Sequence, residues 1–490
     1  MTRSDSSPRQ HHALAIPLPA QGHINPLMRL CETLAKAAPL YATELGIAEG
    51  EDGFIVTFLN IDPIHERLKE LGGNKEHENG RNGDARPTNA IRKAHIPIDG
   101  LDLSNDFRMS IQRYLEAQAS LVPAIDSTVG AADPPVTCTF NDFSMSSPSA
   151  AVRGIRRINL FPSNATTLLM LAYVVNGLLP LEEVLKVVMD PTMDTEAVFK
   201  EGLPGLPTLK NGDLLNIKHL EDENMFIYKF LTGKLKEYNE QSDAIVVNSF
   251  QELEPDSFAA LSACLKVPVY PVGPLVGSSI NLWKEDEECL EWLDRQPSKS
   301  VLYISFGSVA LLSPAQFTEL LAALESSGQR FIWVFRPGLI EGSPESSMPT
   351  EFLEKTKDQG RVVSWAPQIR ILSHPSLGAF FSHCGWNSTL EAVTHGVPIL
   401  CFPYFYDQFI NAKYVVEVWE IGLLFISKLS LGEKGVVERE EIERLFKVML
   451  EGEQSQKFQK NAIQLREAGR RTNLEGGTTY NNIKSLLKML

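Results

Sequence analysis

Short apolar runs rich in β-branched residues alternate along this chain with amphipathic stretches, the pattern of parallel strands covered by helices. A first series comprises ALAIPL (13–18), FIVTFL (54–59), VTCTF (136–140), RRINLF (156–161) and AIVVN (244–248). A second comprises VLYISF (301–306), RFIWVF (330–335), RVVSW (361–365), GAFFSH (378–383) and VPILCF (397–402). Between them VPVYPVGPLVGSS (267–279) is rich in Pro, Gly and Ser and lacks a helical period, so it is expected to link two domains. The Gly-, Asn- and charge-rich segment 72–89 is expected to be a surface loop, and the turn-rich segment 201–214 to wrap the first domain.

At 490 residues the chain is long enough for two or three domains. Its 43% apolar and 22% charged content is that of a globular protein. A net charge of -15 argues against broad affinity for nucleic acid or anionic membrane, both of which need basic patches. No apolar run reaches the ~18 residues of a membrane span, and the start of the chain does not read as a signal peptide. The six cysteines (Cys31, Cys138, Cys264, Cys289, Cys384, Cys401) lie mostly in apolar runs and are expected to be free, buried thiols. These features together point to a cytoplasmic enzyme.

The most informative stretch is WAPQIRILSHPSLGAFFSHCGWNSTLEAVTHGVPILCFPYFYDQ (365–408). It resembles, without a gap, the plant secondary product glycosyltransferase box, the UDP-sugar signature of plant family 1 UDP-glycosyltransferases. The residues themselves point the same way. A strand ending near Phe381 or Ser382 runs through His383, Cys384 and Gly385 into a helix expected to begin near Asn387 or Ser388. Such a helix end presents free N–H groups to an anion such as a pyrophosphate. By resemblance His383, Asn387 and Ser388 contact the phosphates, with Gly385 giving them room, and Glu391 holds the ribose. On spacing alone, Ser388 and Glu391 could instead form a capping box. The resemblance places Trp365 against uracil, Ala366 and Gln368 at the uracil and ribose edge, and Trp386, Asp407 and Gln408 on the sugar. Unmatched, Asp407 would read as a helix cap. SFGS (305–308) follows the first strand of the second series, and Ser308 is expected to reach the donor phosphate.

The first series carries the expected chemistry. In PLPAQGHINPL (17–27), Asn25 reads as a cap and Pro26 as the first helical residue, which puts His23 just before a helix N-terminus and favours a neutral ring. Alone, such a histidine could simply pack in a turn. The resemblance makes His23 the catalytic base and Asp142, in VTCTFNDFSMSS (136–147), the carboxylate that orients it. Asn141 and Asp142 could also make only a strand-end turn. In GIRRINLFPSNA (154–165), Arg156, Phe161 and Pro162 depart from the pattern of many relatives while Ser163 is retained.

The resemblance implies the GT-B fold, an α/β architecture of two doubly wound Rossmann-like domains facing across a cleft. The expected division is an acceptor domain over 1–266, a linker over 267–282, a UDP-sugar domain over 283–465 and a helix over 466–490 returning to the first domain. It implies inverting, metal-independent transfer from UDP-glucose to a small, largely apolar acceptor, with UDP-sugar as co-substrate, no cofactor and a monomeric chain. Another UDP-sugar, or UDP-sugar binding without catalysis, are the alternatives. A Rossmann oxidoreductase is excluded because the first turn, AQGHINP (20–26), lacks G-x-G-x-x-G.

Overall fold

The structure is a computed structural model, and it describes residues 10–45, 53–62, 64–66, 91–96, 121–145, 154–189, 203–210, 213, 221–277, 285–308, 310–343, 347–425 and 435–490. The loop expected at 72–89, residues 201, 202, 211, 212 and 214 of the segment 201–214, and the last residues of the expected linker lie outside them. The described strands form two all-parallel sheets. The first contains β1 (His11–Ile16), β2 (Phe54–Ile61), β3 (Ile91–Ile96), β4 (Cys138–Asp142), β5 (Arg156–Phe161), β6 (Ala244–Val247) and β7 (Val269–Pro271), in the order β3-β2-β1-β4-β5-β6-β7. The second contains β8 (Val301–Ser305), β9 (Arg330–Val334), β10 (Gly360–Val363), β11 (Leu377–Ser382), β12 (Ile399–Cys401) and β13 (Gly422–Leu424), in the order β10-β9-β8-β11-β12-β13.

Strands buried on both faces read as nearly continuous apolar runs. Accordingly Ala13, Leu14 and Ala15 of β1 and Leu302 and Ile304 of β8 are fully buried. Both sheets reverse strand order beside their first strand, between β1 and β4 and between β8 and β11. At such a switch point the chain turns leave a crevice beyond the carboxyl ends of the strands. His23 follows β1 and Asp142 ends β4; Gly307 follows β8 and His383 follows β11.

Inside the stretch expected as a linker, Val269–Pro271 is an ordinary strand of the first sheet. The expected boundary at 465/466 falls within one unbroken helix, Gly452–Thr472. The next helix, Thr478–Met489, then packs on the first domain: Thr479 Oγ1 donates to the Gly273 carbonyl at 2.5 Å, Asn482 Nδ2 to that of Pro271 at 2.8 Å, and Lys484 pairs with Glu44 at 3.1 Å. All six cysteines are free; five are buried and Cys264 is half-buried. Among the described residues no helix is long and apolar enough to cross a membrane.

Candidate active site

The helix after β1 starts at Gln21, capped by Ala20, so Asn25 is not its cap and Pro26 is its sixth residue rather than its first. The pattern misled because proline marks first helical positions so often, whereas here the tight turn at 18–20 is closed by the backbone itself, Ala20 N–H donating to the Leu18 carbonyl at 2.7 Å. Proline within a helix withholds the N–H that would bond the carbonyl four residues back. That carbonyl belongs to Gly22, and Asn387 Nδ2 of the second domain donates to it at 2.6 Å. His23 therefore stands in the first helical turn.

His23 Nδ1 lies 2.7 Å from Asp142 Oδ2, and Asp142 is fully buried at the end of β4. The other carboxylate oxygen accepts the Ser144 N–H at 2.9 Å, so Asp142 both makes the strand-end turn and holds the imidazole. Burial pulls the His23 pKa down, but the charge of Asp142 and the hydrogen bond to it outweigh burial, and the net position is above the usual histidine value. The expectation that the helix end governs this ring is thus corrected: the carboxylate does. With Nδ1–H committed to a carboxylate, Nε2 carries the lone pair.

On the donor side, Gly307 has a φ of 65°, and a Cβ there would lie 2.6 Å from the His383 ring; one at Gly385 would lie 2.5 Å from it. Two glycines thus let His383 lie between the turns after β8 and β11. Burial, reinforced by the charge of Arg336, pushes its pKa down to about 4, so the ring is neutral. Ser308 is exposed at the rim of the turn after β8. Arg336 pins that turn, Nε donating to the Gly307 carbonyl at 2.8 Å and Nη2 to that of Ala310 at 2.5 Å.

The helix after β11 begins at Trp386, with Gly385 as cap, slightly earlier than expected. Ser388 is therefore the third helical residue, which removes the capping-box alternative for Ser388 and Glu391. The N–H groups of Trp386, Asn387 and Ser388 have no intrahelical acceptor. Trp365 follows β10 and is half-exposed, while Ala366 beside it is buried. Gln368 joins the ribose candidates: Nε2 donates to Glu391 Oε2 at 2.7 Å and to Ser388 Oγ at 3.0 Å, and Oε1 accepts from Tyr303 at 3.1 Å. Burial pushes Glu391 up to about 7, against the opposing hydrogen bond from Gln368.

Asp407 occupies a cap position, yet its side chain makes no cap bond; it accepts from Ser163 Oγ and from Asn411 Nδ2 at 3.3 Å. Burial raises its pKa, while Ser163, Asn411 and nearby His23 pull it down. Gln408 Oε1 accepts the Tyr404 and Phe405 N–H groups at 2.8 and 3.0 Å, so its NH₂ is what it can present to a ligand. Trp386 Nε1 donates to the Asn248 carbonyl at 2.7 Å, and Asn387 Oδ1 accepts from Asn248 Nδ2 at 3.4 Å, so both side chains bridge the domains.

Sequence reasoning missed several members of this site. Arg336 and Asn248 sit on elements remote in sequence from their partners, as Asn411 does from Cys384, and only the isolated Ser163 carried a signal. Asn411 Nδ2 also donates to the Cys384 carbonyl at 2.9 Å, tying the turn after β11 to Asp407.

Residues 269–447 match the family described as UDP-glucoronosyl and UDP-glucosyl transferase. The chain is 32% identical to a 7-deoxyloganetin glucosyltransferase of Gardenia jasminoides over 99% of both sequences. It is 31% identical to linamarin synthase 1 of Manihot esculenta, covering 99% of this chain and 98% of that one. Its structure resembles that of Phytolacca americana UGT2 complexed with UDP-2fluoro-glucose and pterostilbene, with a TM-score of 0.75 at 28% identity, over 98% of this chain and 99% of that chain. With two facing switch-point crevices of the GT-B type and full-length likeness of this kind, the chain belongs to the plant family 1 UDP-glycosyltransferases.

Proposed function

We propose that this enzyme transfers glucose from UDP-glucose to a hydroxyl of a small, largely apolar acceptor, with inversion, to give a β-glucoside and UDP. The observation that carries the reading is the His23–Asp142 pair, adjoining the Gly22 carbonyl that Asn387 of the anion-binding helix touches. A base and a diphosphate site are thereby brought together. The acceptor hydroxyl gives its proton to His23 Nε2 as its oxygen attacks the anomeric carbon. The bond from that carbon to the phosphate oxygen breaks, and UDP leaves with the electron pair. Asp142 stabilises the imidazolium, which then loses its proton to solvent.

Trp365 offers an aromatic face to uracil beside Ala366, and Gln368 with Glu391 binds the uracil and ribose edge. His383, Gly385, Asn387, Ser388 and Ser308 surround the diphosphate, whose charge the helix N-terminus offsets without a metal. Asp407 and the NH₂ of Gln408 hold the sugar hydroxyls, and Trp386 contributes its backbone because its indole N–H is engaged. One chain carries the whole proposed site, which is compatible with a monomer, and the reading places the enzyme in the cytoplasm. The acceptor class follows the named relatives, a 7-deoxyloganetin glucosyltransferase, a linamarin synthase and a structure holding pterostilbene, each of which points to a small molecule.

The test is UDP release from UDP-glucose over a panel of phenols, terpenoids and sterols, with mass detection and NMR of the product anomer. A β-glucoside, formed faster from UDP-glucose than from UDP-galactose, is expected. An α-product, or no release with any acceptor, contradicts the reading.

A further inference from the structure

Glu254 lies in the first domain, 2% exposed, and its carboxylate is saturated with donors. It accepts the Ala165 N–H and Thr166 N–H, each at 2.9 Å, the Thr166 hydroxyl at 2.9 Å and the Ser249 hydroxyl at 2.6 Å. The first two are unpaired donors at the start of the helix Ala165–Val175, where a carboxylate is stabilised by both hydrogen bonds and the helix dipole. No catalytic or donor role is assigned to this buried acid, whose desolvation is offset by that set of hydrogen bonds.

Its position fixes the residues immediately before that helix. Ser163 donates to Asp407, and Asn164 Nδ2 donates to Asn411 Oδ1 at 2.6 Å. Asn411 in turn bonds both Asp407 and the Cys384 carbonyl. A continuous buried polar chain therefore runs from Glu254 across the domain interface to the sugar carboxylate and the phosphate turn. We propose that Glu254 is a positioning residue for the sugar subsite, setting Asp407 through the helix start that carries Ser163 and Asn164. The inference rests on the reading of Asp407 as a sugar ligand.

Because the helix start reaches Asp407 directly through Ser163 but the turn at Cys384 only through Asn411, loss of Glu254 affects sugar recognition more than nucleotide affinity. The experiment compares Glu254→Gln, Ser163→Ala, the double variant and Asp407→Asn with the native enzyme. Calorimetry gives the UDP dissociation constant, and steady-state kinetics with UDP-glucose and UDP-galactose give the sugar preference. The expected result is that Glu254→Gln lowers kcat/KM for UDP-glucose about tenfold and narrows the preference over UDP-galactose, with UDP affinity changed less than twofold. The double variant should lose little more than the worse single one, since both act on one chain of contacts. Ser163→Ala keeps the test informative if Glu254→Gln folds poorly, because it cuts the chain at the interface and should reproduce the selective loss. A fall in UDP affinity in step with kcat/KM, or multiplicative losses in the double variant, would overturn the proposal. An Asp407→Asn enzyme with unaltered sugar kinetics would overturn the sugar reading and this inference with it, whereas loss in Asp407→Asn alone would overturn the inference and leave that reading standing.

Discussion

His23 must be neutral to accept a proton, yet Asp142 holds its pKa above the usual histidine value. The sign follows directly: kcat/KM should fall as pH drops through a value above 6.5, the imidazolium being inactive. Asp142→Asn removes the charge that raises the pKa. The acid limb of the pH profile should then move to lower pH while the plateau drops, because the ring loses its orientation and its imidazolium loses its counter-charge. A profile of kcat/KM between pH 5 and 9 for both proteins checks this; an unmoved limb would show that Asp142 does not govern the base. Glu391, raised to about 7, behaves oppositely to an exposed acid. If Glu391 holds the ribose as proposed, only its ionised form can accept from both hydroxyls, so UDP-glucose should bind more weakly as pH falls below about 7, and Glu391→Gln should bind weakly throughout. Stability runs the other way, since a carboxyl with a raised folded pKa contributes most below the unfolded pKa of 4.5 and loses that contribution as pH rises through about 7. The Tm of Glu391→Gln relative to native should therefore improve from pH 5 to pH 8. Glu391 was legible because the box spells it in one run, and His23 and Asp142 because each stands in a short motif at the end of a strand; the bonds from Glu254 to the 165–166 helix start and from Asn411 to Asn164 were not, because only folding brings those partners together.

Among the elements, the two turns after β8 and β11 are built around one ring. Gly307 combines a left-handed φ of 65° with a Cβ position 2.6 Å from His383. Gly307→Ala incurs backbone strain of about 1–2 kcal/mol and must also displace the ring. The expected outcome is a lower Tm together with a UDP dissociation constant raised at least severalfold, read by calorimetry; unchanged UDP binding would separate this turn from the diphosphate. The buried strands were readable because an all-apolar run has few other meanings, whereas β3, β7 and β13 were not. In β3 the edge residues Arg92, Lys93 and His95 are exposed and break the run. In β7, three residues lie in a Pro- and Gly-rich context that imitates a linker. In β13, three residues are too few to show a pattern. The start of the first helix was misplaced for a similar reason, since nothing in the sequence shows that the Gly22 carbonyl freed by Pro26 is taken up by a distant asparagine.

At the scale of the molecule, neither crevice is a complete site. Asn387 bonds Gly22, Trp386 bonds Asn248, and Asp407 accepts from Ser163, so these residues of the second domain are positioned by contacts with the first. The two-domain plan was legible from two series of strands and a box. The acceptor's identity was not, because an apolar pocket is shaped by side chains from many segments with no spacing of their own. On the proposed reading the architecture holds the Asp142-bound imidazole of His23 beside the helix end that carries Asn387, and the most direct test removes that imidazole. For His23→Ala, kcat should be measured with UDP-glucose and a weakly acidic alcohol acceptor, alongside the UDP-glucose dissociation constant. A general base contributes 10²–10⁴, so a fall of roughly 100-fold or more with donor affinity nearly intact is predicted. Full activity in the variant on such an acceptor would contradict the account.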